Sequence, residues 1–525
     1  MTKSQLPPDF PAASLTLTTA DMIDNALNRD PNRPVVIFDE TGEIVTASQY
    51  QGIVSQYAQA LQSLGLSGNM RVGVLSKNRP EILFLNGALG YVEVCRVSLH
   101  PAGAVDDFEY ILNDSHIEAL IIDPEYYQDV ARELQQRVPH LKLVIALGAT
   151  EVGTDLVALA KTFEPRKVQI TYTRGPEDIV GISYSGGTTG KPKAICATGR
   201  SLGQMMNIML TEWEWPEVNR HLVCAPLSHG GGAMFLPTLL QGGSMVVLPG
   251  FDATKVLESV QKHKITTMWL VPAMIYALLD HPDIDKYDIS SIQVIYYGAS
   301  SISPSRLREA IKRFGKVFFQ FYGQAEAPMT VTVMRRSEHD PDNLQRLASC
   351  GRPVLGVRVA LLDDDCREVP DGQPGEICVQ GPLLFGGYLN KPDVTAETLK
   401  GGWLHTGDVA VKDPDGFLRI VDRKKDMVVT GGFNVYPREV EDVITSHPAV
   451  STAAVFGVPD EKWGEMVKAA VVLREGMNVT ETELQALVRA KKGPVQSPKQ
   501  VVFIDAIPLS AVGKPDKKAL RAQFS

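Results

Sequence analysis

From residue 179 onward, short apolar runs alternate with amphipathic stretches. HLVCA (221–225), SMVVL (244–248), TTMWLV (266–271), IQVIYY (292–297) and KVFFQFY (316–322) are brief, dense in β-branched and aromatic residues, and bounded by polar or glycine-containing segments. Such runs predict strands buried on both faces. Between the last two lies a segment running from Ser303-Pro304 to Gly315, with Leu307, Ala310, Ile311 and Phe314 at helical spacing. Ser303 is the expected cap, Pro304 suits the first turn, and Gly315 ends the helix. Strand–helix alternation predicts an α/β fold built on parallel sheet. Residues 1–178 share this texture but carry no readable chemical motif.

From about 350 to 420 the pattern shortens to strands broken by turns such as VPDGQPGE and KDPDG, which predicts a small β-rich subdomain. A charge run, Asp422-Arg-Lys-Lys-Asp426, follows. Beyond it the chain predicts a helix from Pro437, strands near Ala453 and Ala469, and a second helix opened by the capping box Thr480-x-x-Glu483. The expected division is therefore 1–421, a joining segment at 422–426, and a small α+β domain at 427–525.

Composition bounds the function classes. At 525 residues the chain exceeds one ordinary core, and its 44% apolar and 22% charged content is that of a globular protein. Acidic residues outnumber basic ones, 61 against 52, which argues against nonspecific nucleic-acid binding. The six cysteines form no C-x-x-C pair and read as reduced thiols, not as a disulfide framework or zinc site. The first residues, MTKSQLPPDFPAAS, lack the apolar core of a signal peptide, and the greasiest segment, Met268–Leu279, is interrupted by Pro272 and too short to span a bilayer. A cytoplasmic location is the expectation.

The candidate chemistry centres on Ile182-Ser-Tyr-Ser-Gly-Gly-Thr-Thr-Gly-Lys-Pro-Lys193, which follows the strand-like run DIVGISY. Glycines admit a ligand close to backbone N–H groups, the hydroxyls donate, and the lysines add positive charge, a combination suited to a polyphosphate. It is not a P-loop. Setting Gly190-Lys191 on the G-K of that motif puts Ser185 at its first glycine and Pro192 where a hydroxyl is required. The loop resembles instead the Y-T-S-G-T-T-G-x-P-K-G signature of the adenylate-forming superfamily, which includes acyl-CoA synthetases, peptide-synthetase adenylation domains and luciferases.

Further motifs of that superfamily follow in order, so the resemblance covers roughly residues 180–521. It implies a nucleotide site drawn from Ser185, Thr188, Thr189, Gly190 and Lys193, from the turn Gly298-Ala299-Ser300, and from Gln320, Phe321, Tyr322 and Gly323. An aromatic ring such as Tyr322 can stack on a base, and Glu326 is the implied Mg²⁺ ligand. Asp408, in Trp403-Leu-His-Thr-Gly-Asp408, is the implied acceptor of ribose hydroxyl hydrogen bonds, and Arg423 the implied partner of ribose or phosphate. His229, in Ala225-Pro-Leu-Ser-His229-Gly-Gly-Gly232, is implied beside the acyl tunnel. Gly431-Gly432 resembles the turn lining the pantetheine tunnel, Asp422 matches an interdomain hinge, and Lys514 in Gly513-Lys514 matches the lysine that faces the α-phosphate. Taken singly, a histidine after a strand, a surface glutamate or a charge run would be structural. Their order and spacing together support the functional reading.

The resemblance implies a two-step ligase using ATP, Mg²⁺ and coenzyme A, with Lys514, Glu326, His229 and Arg423 as catalytic residues, and a C-terminal domain that moves about the hinge. Two hydroxyls of the usual pattern are missing, at Gly186 and Ala325, which predicts altered nucleotide affinity. Gly230 stands where relatives that use amino acids carry an Asp, so a fatty, aryl or alicyclic acid is expected. Gly230, Gly231 and Gly232 are expected to leave room for the acyl group, and no basic residue is evident nearby for a second carboxylate. A carrier-protein acceptor and a non-catalytic nucleotide-binding relative are the alternatives. Nucleic acid is not an expected partner, and monomer and homodimer both stay open.

Overall fold

The computed structural model describes residues 18–68, 70–167, 174–184, 192–424, 426–430, 433–460, 463–509 and 515–524. The calls at Ser185, Thr188, Thr189, Gly190, Gly431, Gly432 and Lys514 lie outside these residues.

Two large sheets organise the N-terminal part. One runs Thr154–Asp155, Leu143–Ala146, Ala119–Ile122, Arg71–Leu75, Cys95–Ser98, Ile179–Tyr184, Ala194–Thr198, parallel except for its last pair. The other has nine strands, with Arg220–Val223, Ser244–Val247, Thr267–Leu270, Val294–Tyr297 and Phe318–Gln324 parallel at its centre and antiparallel pairs at both edges. All five strand runs expected between 221 and 322 form, and they form because both their faces are covered. Helices Ala47–Ser63, Pro80–Val92 and Gly199–Glu212 fill a core shared between the two sheets. Helices Ala253–His263, Pro272–Leu279 and Pro304–Phe314 cover the outer face of the nine-stranded sheet, and Val105–Asp114 and Pro124–Arg137 that of the other. The greasy segment at 268–279 is divided between a strand and a helix. Among the described residues no helix is long and apolar enough to cross a membrane.

One connection was not legible in the chain. Pro34–Phe38 crosses to the nine-stranded sheet and pairs in parallel with Ser244–Val247.

A four-stranded antiparallel sheet follows, Arg358–Leu362, Gly375–Gln380, Leu404–Lys412 and Leu418–Arg423, as the turn-rich texture predicts. The smaller C-terminal domain is a mixed sheet around the long pair Val450–Asp460 and Gly464–Leu473, with helices Pro437–Ile444, Glu481–Lys492 and Lys517–Phe524. Its capping box forms as expected: Thr480 N–H donates to Glu483 Oε2 at 2.7 Å, and Glu483 N–H to Thr480 Oγ1 at 3.2 Å.

Helix Pro304–Phe314 ends at Gly315, whose φ is +83°, but Ser303 does not cap it. Its hydroxyl instead meets Ser305 Oγ at 2.9 Å and Thr445 Oγ1 at 3.0 Å. Ser305 Oγ donates to the Thr445 carbonyl at 2.9 Å, and Arg474 Nη2 reaches Glu309 Oε1 at 2.8 Å. The expected cap is therefore a contact between the two domains.

Candidate active site

The best-defined part of the site is a buried carboxylate. Asp408 lies in Leu404–Lys412, directly opposite Arg423 in the neighbouring strand. Its Oδ2 accepts from the Tyr322 hydroxyl at 2.7 Å and from Gln324 Nε2 at 2.8 Å, while Arg423 Nε stands 3.3 Å from Oδ1. Three residues thus converge on the Asp408 side chain, and the four together come from three motifs of the sequence. The turn before Asp408 is held from below: Glu376 Oε1 accepts from Gly407 N–H at 2.8 Å, and its Oε2 lies 3.0 Å from His405 Nδ1. Burial, then the Asp408 charge, push the Tyr322 hydroxyl well above the ordinary tyrosine range, so it stays a donor.

Glu326 follows the same strand as Tyr322. Tyr388, which sequence reading missed, donates its hydroxyl to Glu326 Oε1 at 2.6 Å, and Phe385 N–H donates to the Glu326 carbonyl at 2.9 Å. Lys193 Nζ sits 5.1 Å from the centre of the Tyr388 ring. The Tyr388 segment is laid along Ala194–Thr198 by three main-chain bonds, Gly386 N–H to Cys196, Cys196 N–H to Gly387 and Leu389 N–H to Ala194. This pairing carries Tyr388 to the strand that follows the glycine loop. Only its aromatic character after Gly386-Gly387 could have singled it out in the sequence.

The turn at Gly298 is close-packed: a Cβ there would lie 2.4 Å from the Phe321 carbonyl oxygen. Ala299 takes a left-handed φ of +65°, and neither it nor Ser300 is buried. A Cβ on Gly323 would meet Met329 N at 2.4 Å and Ala327 O at 2.5 Å. Two expected nucleotide residues turn their side chains inward instead. Phe321 lies between Trp213 and Trp269, with ring centres at 5.2 and 5.8 Å, and Gln320 Oε1 accepts from the buried Tyr297 hydroxyl at 3.2 Å.

His229 stands apart from that carboxylate cluster. Its Nδ1 is 2.8 Å from Ser228 Oγ and its ring meets His100 edge-on at 4.7 Å. Burial, then His100 and Arg96, bring its pKa down to about 4, so the ring is neutral near pH 7. The three glycines after it do not open a tunnel, and this corrects the expectation of room. A Cβ on Gly230 would lie 2.5 Å from the Trp269 ring, one on Gly231 2.5 Å from the Ala225 carbonyl oxygen, and one on Gly232 2.1 Å from that of Leu227. Small residues are needed here for close packing. A second correction concerns charge. Arg96, from Cys95–Ser98, is among the groups acting on His229, so a basic residue does stand near that histidine.

Asp422 is buried at the domain junction. It accepts from Arg423 N–H at 2.6 Å and from Arg438 N–H at 3.1 Å, the latter in the first turn of Pro437–Ile444. Nearby, Lys517 Nζ meets Glu441 Oε1 at 2.9 Å.

This fold is that of an adenylate-forming enzyme. The model of the AMP-binding enzyme family matches residues 23–389, and that of the AMP-binding enzyme C-terminal domain residues 439–514. FadD8 of Mycobacterium tuberculosis, a medium/long-chain-fatty-acid–CoA ligase, is 49% identical over 512 residues, which cover 95% of this chain and 89% of that one. A feruloyl-CoA synthase of an Amycolatopsis species is 34% identical over 485 residues, 92% of this chain and 94% of its own. Among solved structures, the amide bond synthetase McbA of Marinactinospora thermotolerans superposes with a TM-score of 0.88 at 31% identity, over 98% of this chain and 100% of that one. The chain belongs to the AMP-binding enzyme family.

Proposed function

We propose that the protein is an AMP-forming acid–CoA ligase that activates a fatty acid, or failing that an aryl or alicyclic one. The observation that carries this reading is the convergence of Tyr322, Gln324 and Arg423 on Asp408, beside Glu326, Tyr388 and Lys193. A carboxylate fixed by three donors is preorganised to accept hydrogen bonds from ribose hydroxyls without first reorganising. The similarity to FadD8 supports a fatty substrate, and that to the feruloyl-CoA synthase an aryl one.

In the first step a carboxylate oxygen of the acid attacks the α-phosphorus of ATP and pyrophosphate leaves. In the second, a thiolate attacks the acyl carbonyl and AMP leaves. Lys514 would offset charge at the α-phosphate, and Arg423 would hold the ribose and phosphate beside Asp408. Glu326 offers hard oxygen ligation suited to Mg²⁺, with Oε1 oriented by Tyr388. When bound, that ion neutralises phosphate charge. Neutral His229 would line the acyl site without adding charge. Asp422 would serve as the hinge within 422–426, about which the domain at 427–525 turns to bring Gly431-Gly432 to the thioester step. The six unpaired cysteines are consistent with a reducing cytoplasm.

Pyrophosphate release with ATP and Mg²⁺ over a panel of carboxylic acids, each with and without CoA, tests the reading. Acid-dependent release that CoA accelerates, with AMP and acyl-CoA formed, is expected. Release indifferent to CoA would transfer the second step to a carrier protein or another acceptor. Silence across the panel, with ATP still bound, would replace the ligase by a nucleotide-binding protein.

A further inference from the structure

Arg96 is out of place for its element. Cys95–Ser98 is an interior strand of the seven-stranded sheet, flanked by Arg71–Leu75 and Ile179–Tyr184, and strands covered on both faces are ordinarily apolar. Cys95 and Val97 point to the outer core, so Arg96 and Ser98 face the layer between the two sheets. There Arg96 Nη1 donates to Asn86 Oδ1, and Nη2 lies a long 3.5 Å from the Leu227 carbonyl. Its Nε is sealed from solvent and has no hydrogen-bond partner. Among the described residues no carboxylate forms an ion pair with it.

A guanidinium enclosed without a counter-charge is unfavourable, and the cost is recovered only if something supplies acceptors. The surroundings show where that something sits. Arg96, Asn86, Ser98, His100, Ser228 and His229 all keep partial exposure, although Cys95, Val97, Leu99 and Leu227, their neighbours in the chain, are buried. The Arg96 charge acts on the His229 ring, and its Nη2 lies beside the Leu227 carbonyl, two residues before that histidine, so the guanidinium and His229 share this partly exposed polar patch. His229, neutral at pH 7, neither repels a bound anion nor neutralises it. Arginine presents a planar fork of donors matched to oxygen acceptors.

We infer that Arg96 forms an acceptor-binding subsite of the acyl pocket, selecting acids whose acyl group carries a hydroxyl, oxo or second carboxylate oxygen. The inference rests on the ligase reading above. It gives the enzyme a preference that a purely apolar pocket would not have, because an unsubstituted acid leaves the buried Arg96 donor unpaired.

The test compares kcat/KM for acids matched in length: octanoic, 3-hydroxyoctanoic, 3-oxooctanoic, 8-hydroxyoctanoic and octanedioic acids, with cinnamic and 4-hydroxycinnamic acids as an aryl pair. At least one oxygenated acid is expected to exceed its parent about tenfold or more, the value of a hydrogen bond to a charged group. If octanedioic acid leads, the subsite serves a carboxylate; if a hydroxy or oxo acid leads, it serves a neutral oxygen. Arg96→Met is expected to collapse that preference to near unity. Arg96→Lys keeps the charge without the fork and is expected to retain part of it. Wild-type preference for every unsubstituted acid would overturn the subsite and leave the ligase standing, and this readout needs no variant to fold. Equal loss for all acids in R96M would also overturn it, since Arg96 would then hold the reacting carboxylate or the fold. Absence of any acid-dependent pyrophosphate release in the wild type would remove the ligase reading and the subsite with it.

Discussion

The Tyr322 hydroxyl donates to Asp408 Oδ2 at 2.7 Å, joining strands of two different sheets. Tyr322 lies near the end of Phe318–Gln324 in the nine-stranded sheet, and Asp408 lies in the antiparallel sheet that follows it. The bond fixes which way the carboxylate faces and ties the β-rich subdomain to the α/β core. Gln324 Nε2 repeats the tie, reaching Asp408 Oδ2 at 2.8 Å and the Thr406 carbonyl at 2.7 Å.

Tyr322→Phe therefore tests whether orientation of Asp408 matters apart from its charge. The ring and its packing stay, and Gln324 and Arg423 still hold the carboxylate. The expected result is a rise of about tenfold in KM for ATP, the value of one hydrogen bond to a charged group, with a smaller effect on the KM for acid. Asp408→Ala should be far worse. Pyrophosphate-release kinetics at varied ATP measure both, and an unchanged KM for ATP in Y322F would remove Tyr322 from the nucleotide site.

What the sequence disclosed and what it concealed divide along a physical line. The strands from Arg220 to Gln324 were legible because each is short, apolar and bounded, and the glycine at 315 ends its helix as glycine does. Asp408, Arg423, Tyr322 and Glu326 were legible because their motifs are local. Most of the failures involve a partner distant in the chain. Ser303 has the sequence of a cap, but Thr445 from the other domain takes its hydroxyl. Gly230 was read as open space, yet Trp269 fills it. Nothing near Arg96 in the sequence hints at His229, and only the stacking of the two sheets brings them together. Periodicity reports which face is buried; it does not say against what.

Tyr388 offers a second test, since it touches Glu326 through its hydroxyl and Lys193 through its ring. Tyr388→Phe frees Glu326 Oε1 but keeps the ring, and should lower adenylation about tenfold and raise the Mg²⁺ concentration needed for half-maximal rate. Tyr388→Ala also removes the surface under Lys193, whose cation–π contact is worth roughly 0.5–2 kcal/mol, so it should lose a further several-fold. If the two variants behave alike, the ring contributes nothing and Lys193 is held by other means.

The lysine at 514 should separate the two half-reactions. Lys514→Ala is expected to reduce acyl-adenylate formation by on the order of 10²–10³ while sparing thioester formation from supplied acyl-adenylate and CoA. Single-turnover assays of each step decide it. Equal loss in both steps would mean that Lys514 supports the fold or both conformations and not the α-phosphate alone.

The junction between domains should carry a pH signature. Burial raises the Asp422 pKa from 3.8 to about 6, opposed chiefly by the Lys517 charge. A carboxyl whose folded pKa lies above its unfolded value binds its proton more tightly when folded. Its contribution to stability is therefore fully present below about pH 4 and is lost as the pH rises through about 6. At pH 8 the buried charge costs on the order of 2–3 kcal/mol relative to the protonated state, the net remaining after the Arg423 and Arg438 N–H groups and Lys517 offset part of the burial. Asp422→Asn removes this titration while keeping an acceptor for one of the two N–H groups. The difference in unfolding free energy between D422N and wild type should accordingly shift in favour of D422N between pH 4 and 6 and level off above. Asp442, raised to about 6 by the same burial, titrates in both proteins and cancels from the difference. Denaturant melts across pH 4–8 provide the measurement. A difference that stays constant with pH would show that Asp422 is ionised throughout, and that Lys517 and the two main-chain donors fully outweigh its burial.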